Sequence, residues 1–191
     1  GCLFCAEAGT GFEASDSAVS VFEQLAASRT KVEKRYHAHK FIAYFQNYTN
    51  TFLPLDRLLG YMEEASKVED IVEISISTRP DCIRQDYLEA FYEFSSRTGI
   101  EVSIELGLQT VNYHTLMEMN RGHGLAEFID AVLRIAPYHF PVCVHMILNL
   151  PGDTMDDAKE SARILSALPI SMVKLHSLYI PKQCELYDKY I

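Results

Sequence analysis

"EVSIELGLQT", residues 101–110, alternates polar and apolar residues strictly enough to predict a β-strand with two different faces. The apolar face suits packing against helices and carries Ile104, Leu106 and Leu108. The opposite face is polar and carries Ser103, Glu105, Gly107 and Gln109. Burying this polar face under a second layer of helices would cost roughly 1 to 3 kcal/mol for each unsatisfied group. The stretch therefore favours a curved sheet whose polar side surrounds a wet or ligand-filled cavity.

Four further segments read as strands, and amphipathic helical segments separate them. The strands are "FIAYFQ", "DIVEISIST", "VCVHMILNL" and "MVKLHSLYI". The helices are "SDSAVSVFEQLAAS" with Ser15 or Asp16 as N-cap, "PLDRLLGYMEEAS" with Pro54 in its first turn, residues 86–97, 127–135 and 156–168, and a last one at "CELYDKY". This alternation predicts an α/β fold with right-handed crossovers and a parallel sheet, either open or curved into a barrel.

The polar phase of these strands predicts one shared cavity. "MVKLHSLYI" places Lys174 and His176 in one phase, and "VCVHMILNL" does the same for Cys143 and His145. We expect Glu105, Lys174 and His176 to face the same lumen with compensating charges, because an isolated buried charge is costly. An exposed polar face or a satisfied core network is the alternative.

Composition limits the class of protein. The chain has 191 residues, 48% of them hydrophobic, a net charge of −9, and no stretch near the roughly 18 apolar residues of a membrane span. Its five cysteines are mostly scattered, which favours the cytosol, and Cys82, Cys143 and Cys184 are interpreted as ordinary half-buried thiols. The acidic balance disfavours indiscriminate phosphate binding, although "RTKVEKRYHAHK" (29–40) is either a solvated helix face or a local RNA contact.

"GCLFC", residues 1–5, carries a C-x-x-C pair. Half of a zinc site, a redox dithiol and part of an iron–sulfur ligand set all fit the pair alone. Since the sequence begins with Gly1 and not with a methionine, we expect it to be a fragment, with a third cluster cysteine upstream.

Several motifs together resemble the radical S-adenosylmethionine (radical SAM) superfamily, in particular its bacterial YhcC branch, which is similar to the catalytic subunit of Elongator. They are "GCLFC", "FIAYFQNYTNTFLP", "SISTRPDCI", "IELGLQTVNYHTLMEMNRGH" and "VHMILNLPGDT". The resemblance implies one radical SAM core domain over residues 1–191 with a partial (β/α)6 TIM-like barrel. The first strand of that barrel would precede Gly1.

The resemblance also implies a ligand set. Cys2 and Cys5 would bind a [4Fe-4S] cluster, and S-adenosylmethionine, cleaved by reduction to a 5′-deoxyadenosyl radical, would contact the remaining matched positions. Those positions are Phe4, Gln46, Asn47, Tyr48, Ser77, Thr78, Gln109, Arg121 and His145. The implied partners are a reductant protein such as flavodoxin or ferredoxin and an RNA substrate such as a tRNA base. The rival interpretation is an iron–sulfur or zinc-binding barrel module without S-adenosylmethionine turnover.

Overall fold

The computed structural model describes residues 2–4, 19–182 and 184–190. The strands are β1 (Phe41–Phe45), β2 (Ile71–Thr78), β3 (Glu101–Gln109), β4 (Val142–Leu148) and β5 (Met172–Ser177). The helices are α1 (Val21–Tyr36), α2 (Leu55–Ser66), α3 (Gln85–Thr98), α4 (Tyr113–Glu118), α5 (Leu125–Ile135), α6 (Met155–Ser166) and α7 (Glu185–Tyr190).

The five strands form one sheet in the order β1-β2-β3-β4-β5, and every neighbouring pair is parallel. The sheet curls into a half-barrel, as the sequence predicts. In a parallel sheet all carboxyl ends lie at one edge, so the loops after β1 to β5 share that edge. The additional strand before Gly1 stays a prediction.

The convex side of the sheet forms the core. Ile74, Ile76, Ile104, Leu106 and Val144 are fully buried there. Helical side chains cover them, among them Leu58, Met62, Leu88, Phe91, Phe128 and Val132. At about 25 cal/mol per Å² of buried apolar surface, this layer is the main force that holds the strands in register.

Three details of the elements differ from the sequence-based expectation. Helix α1 begins after Ser20, whose side chain forms a capping box with Glu23. The expected caps Ser15 and Asp16 lie outside the described residues. Pro54 precedes α2 as its N-cap residue instead of lying in its first turn, and the six-residue α4 was not expected at all.

Among the described residues, no helix is both long and apolar enough to cross a membrane.

Candidate functional site

Arg121 lies at the carboxyl edge of the sheet and joins the N-terminal cysteine segment to β3. Its Nη1 donates to Cys2 Sγ at 3.0 Å, and its Nη2 donates to the carbonyl oxygen of Gly107 at 2.6 Å. The guanidinium carbon lies 5.9 Å from the centroid of the Phe4 ring. Cys2, Phe4 and Arg121 are thus brought together, whereas Cys5 lies outside the described residues.

A short helix and a tight turn carry Arg121 to this place. The side chain of Asn112 caps α4 by accepting from the backbone amides of His114 and Thr115. After the helix, Asn120 takes a left-handed conformation, with φ of 53°, and the amide of Arg121 donates to Leu116 at 3.0 Å. This reversal returns the chain over the end of β3.

Gly107 allows Gln109 and Arg121 to meet over the strand. A Cβ at position 107 would lie 2.8 Å from Gln109 Nε2 and 3.3 Å from Arg121 Nη2. The pairing of β3 with β4 shifts between Gly107 and Gln109, and Gln109 has a φ of 79°. Because a non-glycine residue adopts this conformation only at a cost, the surrounding contacts must hold Gln109 in place.

Two buried polar atoms at this edge have no hydrogen-bond partner within the part of the chain that the structure describes. They are Nε of Arg121, a donor, and Oδ1 of Asn47, an acceptor. Buried polar groups are normally hydrogen-bonded, so each of these two atoms has capacity for a partner outside the described residues. A guanidinium suits a carboxylate, and an amide oxygen suits an ammonium group.

His123 packs beside Arg121 and Gly107. Its Nε2 lies 2.9 Å from both Arg121 Nη2 and the carbonyl oxygen of Gly107, and its Nδ1 lies 3.3 Å from the carbonyl oxygen of Gly124. Burial lowers the pKa of His123, and the charge of Arg121 lowers it further.

Glu105 is the centre of a polar cluster on the concave side of the sheet. Its Oε1 accepts from Lys174 Nζ at 2.5 Å and from Ser75 Oγ at 3.1 Å, and its Oε2 contacts His145 Nε2 at 2.5 Å. The hydroxyl of Tyr44 also donates to Oε2, at 2.8 Å. Burial alone would raise the pKa of Glu105, but the hydrogen bonds from His145, Lys174 and Tyr44 outweigh it and lower that pKa to about 2.

Two histidines and an aromatic ring extend this cluster. His176 Nε2 lies 3.0 Å from His145 Nδ1, and the two rings stack with centroids 5.0 Å apart. Lys174 Nζ lies 4.7 Å from the centroid of the Tyr44 ring. Burial raises the pKa of Tyr44 to about 12, and the carboxylate of Glu105 adds to the shift. Glu105, Lys174 and His176 therefore lie on one face of the sheet, where Lys174 compensates the charge of Glu105 and His176 is linked to it through His145.

The remaining predicted residues divide between the two faces of the sheet. Ser77 Oγ lies 3.1 Å from the Tyr44 hydroxyl on the concave side. Thr78 is buried and its hydroxyl lies 2.5 Å from that of Thr51, so the structure does not bring it to the cluster. Gln46 and Tyr48 are exposed in the loop after β1.

Sequence reasoning missed three residues of this region. Tyr44 shares a phase with Ile42 along "FIAYFQ", opposite to Phe41 and Ala43, and could have been placed on the concave face from that phase. Cys143 lies in phase with His145, but it was interpreted as an ordinary thiol because no ligand is adjacent in sequence. His123 follows Arg121 by two residues, and nothing in the local pattern distinguishes it from a surface histidine.

Comparison with known proteins shows which family the chain resembles. The sequence model of one protein family, described as the radical SAM superfamily, matches residues 1–165. The uncharacterized protein YtqA of Bacillus subtilis (strain 168) is 33% identical over 190 residues, covering 100% of this chain and 58% of YtqA. Protein YhcC of Escherichia coli (strain K12) is 34% identical over 182 residues, covering 95% of this chain and 57% of YhcC. The chain thus spans less than three fifths of the length of these relatives.

More distant relatives share the fold. The tRNA uridine(34) acetyltransferase of Methanocaldococcus jannaschii is 25% identical over 135 residues, covering 66% of this chain and 24% of that protein. The solved structure of archaeal Methanocaldococcus infernus Elp3 with an N-terminal deletion superimposes with a TM-score of 0.74 at 22% identity. The superposition covers 90% of this chain and 45% of the Elp3 chain. The expected likeness to the YhcC branch and to Elongator is confirmed.

Proposed function

Because the chain belongs to the radical SAM superfamily, we propose that residues 1–191 form the core domain of an enzyme that binds a [4Fe-4S] cluster and S-adenosylmethionine. When bound, the reduced cluster supplies the electron that cleaves the sulfonium of S-adenosylmethionine to a 5′-deoxyadenosyl radical. The proposed ligands of the cluster are Cys2, Cys5 and a third cysteine upstream.

The pair of orphaned polar atoms carries this proposal. Arg121 Nε and Asn47 Oδ1 are buried without partners among the described residues. The methionine end of S-adenosylmethionine holds one carboxylate and one ammonium group, which match that donor and that acceptor. The contact between Arg121 Nη1 and Cys2 Sγ places the guanidinium beside a proposed cluster ligand. Arg121 would thereby hold the carboxylate while Asn47 accepts from the amine.

Other residues of the carboxyl edge and the lumen complete the proposed cofactor site. Gln109, folded over Gly107 beside Arg121, would reach the ribose. Phe4 would pack against the adenine, while Gln46 and Tyr48 would contribute backbone contacts. Ser77, Thr78 and His145 remain proposed contacts on the strands themselves.

We further propose that the lumen around Glu105, Lys174 and His176 receives the substrate. An RNA substrate such as a tRNA base is supported by the likeness to a tRNA uridine(34) acetyltransferase. The proposed electron donor is a reductant protein such as flavodoxin or ferredoxin, and the scattered cysteines favour a cytoplasmic location.

The decisive experiment is turnover by the full-length protein. Anaerobically reconstituted protein, mixed with dithionite and S-adenosylmethionine, is expected to release 5′-deoxyadenosine, and the Cys2→Ala variant is expected to release none. An iron-loaded protein that forms no 5′-deoxyadenosine would instead favour the binding or electron-transfer module. Iron and zinc analysis of the same sample separates a cluster from a zinc site.

The RNA assignment has its own test. Adding total tRNA to the reaction is expected to change the rate of 5′-deoxyadenosine formation and to leave a mass change in digested nucleosides. A rate and a nucleoside profile that tRNA does not alter would contradict the assignment without affecting the cofactor proposal.

A further inference from the structure

We propose that Glu105, Cys143 and His145 form a second, mononuclear metal site in the lumen, suited to Zn²⁺ and separate from the cluster cysteines. The site goes beyond the proposed radical chemistry and does not depend on it, and in it His145 would serve the metal instead of the cofactor. One carboxylate oxygen, one thiolate and one imidazole are ligands that zinc accepts in a single shell.

The strand register brings the three donors together. Glu105 and Cys143 are direct partners across β3 and β4, and His145 lies two residues after Cys143 on the same face. Their ligand atoms all lie within 4.8 Å of one another. Zinc–ligand bonds of about 2.0 to 2.3 Å place tetrahedral ligands roughly 3.4 to 3.6 Å apart. Side-chain rotations that move the ligand atoms by about an ångström are therefore sufficient to form the site.

The neighbours of these donors already have the arrangement of an outer coordination shell. A histidine that binds a metal through one nitrogen is usually held by a hydrogen bond at the other. His145 directs Nε2 at Glu105 while its Nδ1 contacts His176 Nε2 at 3.0 Å. Tyr44 and Ser75 hold the carboxylate of Glu105 in the same way.

Lys174 competes with a metal ion for the carboxylate of Glu105. Its ammonium lies 2.5 Å from Glu105 Oε1, so it neutralises the carboxylate that the metal would use. The Lys174 side chain is 37% exposed on the edge strand β5, whereas the side chain of Glu105 is 7% exposed. The lysine can therefore swing outward when a metal ion binds, and the Cys143 thiol loses its proton to the solvent.

Three protein ligands leave a fourth coordination position open toward the lumen. Zinc sites with three protein ligands and one exchangeable position are the catalytic kind, whereas structural sites are closed by four protein ligands. A water molecule or a substrate oxygen or nitrogen would fill the open position. The metal would thus polarise a substrate group in the cavity next to the radical site.

Cobalt(II) binding to the full-length protein tests the proposal. All measurements use a parent protein with Cys2→Ala and Cys5→Ala, called the background variant, so that the C-x-x-C pair cannot bind the added ion. One equivalent of Co²⁺ is expected to give tetrahedral d–d bands in the visible and a thiolate charge-transfer band in the near ultraviolet. In that background, Cys143→Ser is expected to remove the charge-transfer band. The matched control Cys82→Ser, a thiol that is also beside a carboxylate, is expected to retain it.

Lys174→Met separates metal binding from loss of folding. Removing the competing charge about 4 Å from the site is expected to tighten Co²⁺ binding by at least about tenfold, whereas a general structural defect would weaken it. Absence of a thiolate band, its persistence in Cys143→Ser, or weaker binding in Lys174→Met would each overturn the proposal. Since the background variant lacks the cluster ligands, these outcomes do not depend on whether S-adenosylmethionine is cleaved.

Discussion

Arg121 is the residue on which the proposed cofactor site depends most directly. Its planar guanidinium contacts Cys2 and Gly107 while Nε remains available. Lysine offers a single point charge and cannot reproduce that fork. We expect Arg121→Lys to weaken S-adenosylmethionine binding by roughly 1.5 to 3 kcal/mol, the size of a charge-assisted hydrogen bond. Calorimetric titration of the reconstituted full-length protein measures the change.

The control for Arg121→Lys is Arg84→Lys, which alters an exposed arginine paired with Asp86. Both variants are expected to retain the wild-type iron content. Unchanged affinity in Arg121→Lys would refute the assignment, and iron loss in that variant would show that Arg121 supports the cluster instead of the carboxylate.

Glu105 makes the stability of the protein depend on pH. Its pKa is about 2 in the folded protein, below the ordinary value of a glutamate. The stabilisation is therefore fully present above about pH 4.5 and is lost as the pH falls toward 2. We expect Glu105→Gln to lower the free energy of unfolding by about 2 to 3 kcal/mol at pH 7. The difference from wild type should shrink between pH 5 and pH 3.

Urea unfolding of the full-length protein at several pH values measures this difference. Glu69→Gln, which removes a carboxylate whose side chain is 83% exposed, serves as the control. A constant gap between wild type and Glu105→Gln across the acid range would show that the ion pairs do not hold the carboxylate ionised.

The sequence predicts which residues share a face better than it predicts contacts. Period-two alternation is sufficient to place Glu105, Lys174 and His176 in one phase, and the structure brings them together. Alternation does not report how strongly the sheet curls, and this curl determines that Tyr44 on β1 reaches Glu105 on β3, two strands away. The orphaned atoms of Asn47 and Arg121 likewise depend on loop geometry that no local pattern encodes.

At the scale of elements, the carboxyl end of β3 leaves little room for a side chain at position 107. A methyl group there would collide with Gln109 Nε2 at 2.8 Å and crowd Arg121 Nη2 at 3.3 Å. Because both contacted atoms are the ends of flexible side chains, we expect Gly107→Ala to destabilise the protein by at most about 1 kcal/mol, the low end of the cost of overpacking. The same variant should weaken S-adenosylmethionine binding, because both side chains that it displaces belong to the proposed site.

Gly60→Ala provides a matched comparison. Gly60 lies inside α2, and an added Cβ would find no atom within 4 Å. Alanine favours the helix over glycine, so this variant should be more stable by about 0.5 to 1 kcal/mol. Thermal unfolding of the two variants gives the comparison of stability, and a Gly107→Ala protein with wild-type affinity for S-adenosylmethionine would contradict the crowding.

Elements with a repeating apolar face could be predicted from sequence, whereas short elements could not. All five strands lie within the predicted segments, because alternating residues mark both faces of each. Helix α4 has six residues, which are too few for an apolar stripe to repeat. The N-cap residue Asn112 is the one sequence feature that indicates where it begins. That helix positions Arg121, so the element that was hardest to predict serves the proposed site.

At the scale of the whole molecule, the two ends of the described chain hold each other. The amide of Leu3 donates to Met119 at 3.1 Å, and the amide of Leu186 donates to the carbonyl oxygen of Leu3 at 2.9 Å. Leu3, Met119, Leu150, Cys184 and Leu186 form a small buried cluster separate from the main core. Residues 2–4 are therefore fixed against α7 and the end of α4, next to Arg121.

This arrangement predicts that Leu186, which is remote from the cysteines in sequence, affects the iron content and the lifetime of the proposed cluster. Leu186 is 1% exposed, and Leu186→Ala would leave a cavity that costs about 2 to 4 kcal/mol. Most of that cost should fall locally on the contact with Leu3, because the main core does not share these side chains. The variant is expected to fold, to bind less iron after reconstitution and to lose its cluster faster in air. Leu133→Ala, which truncates a side chain on α5 that is 55% exposed, should match wild type in both measurements. Equal iron content and equal cluster lifetime in Leu186→Ala and wild type would show that the cysteine segment is positioned without help from α7.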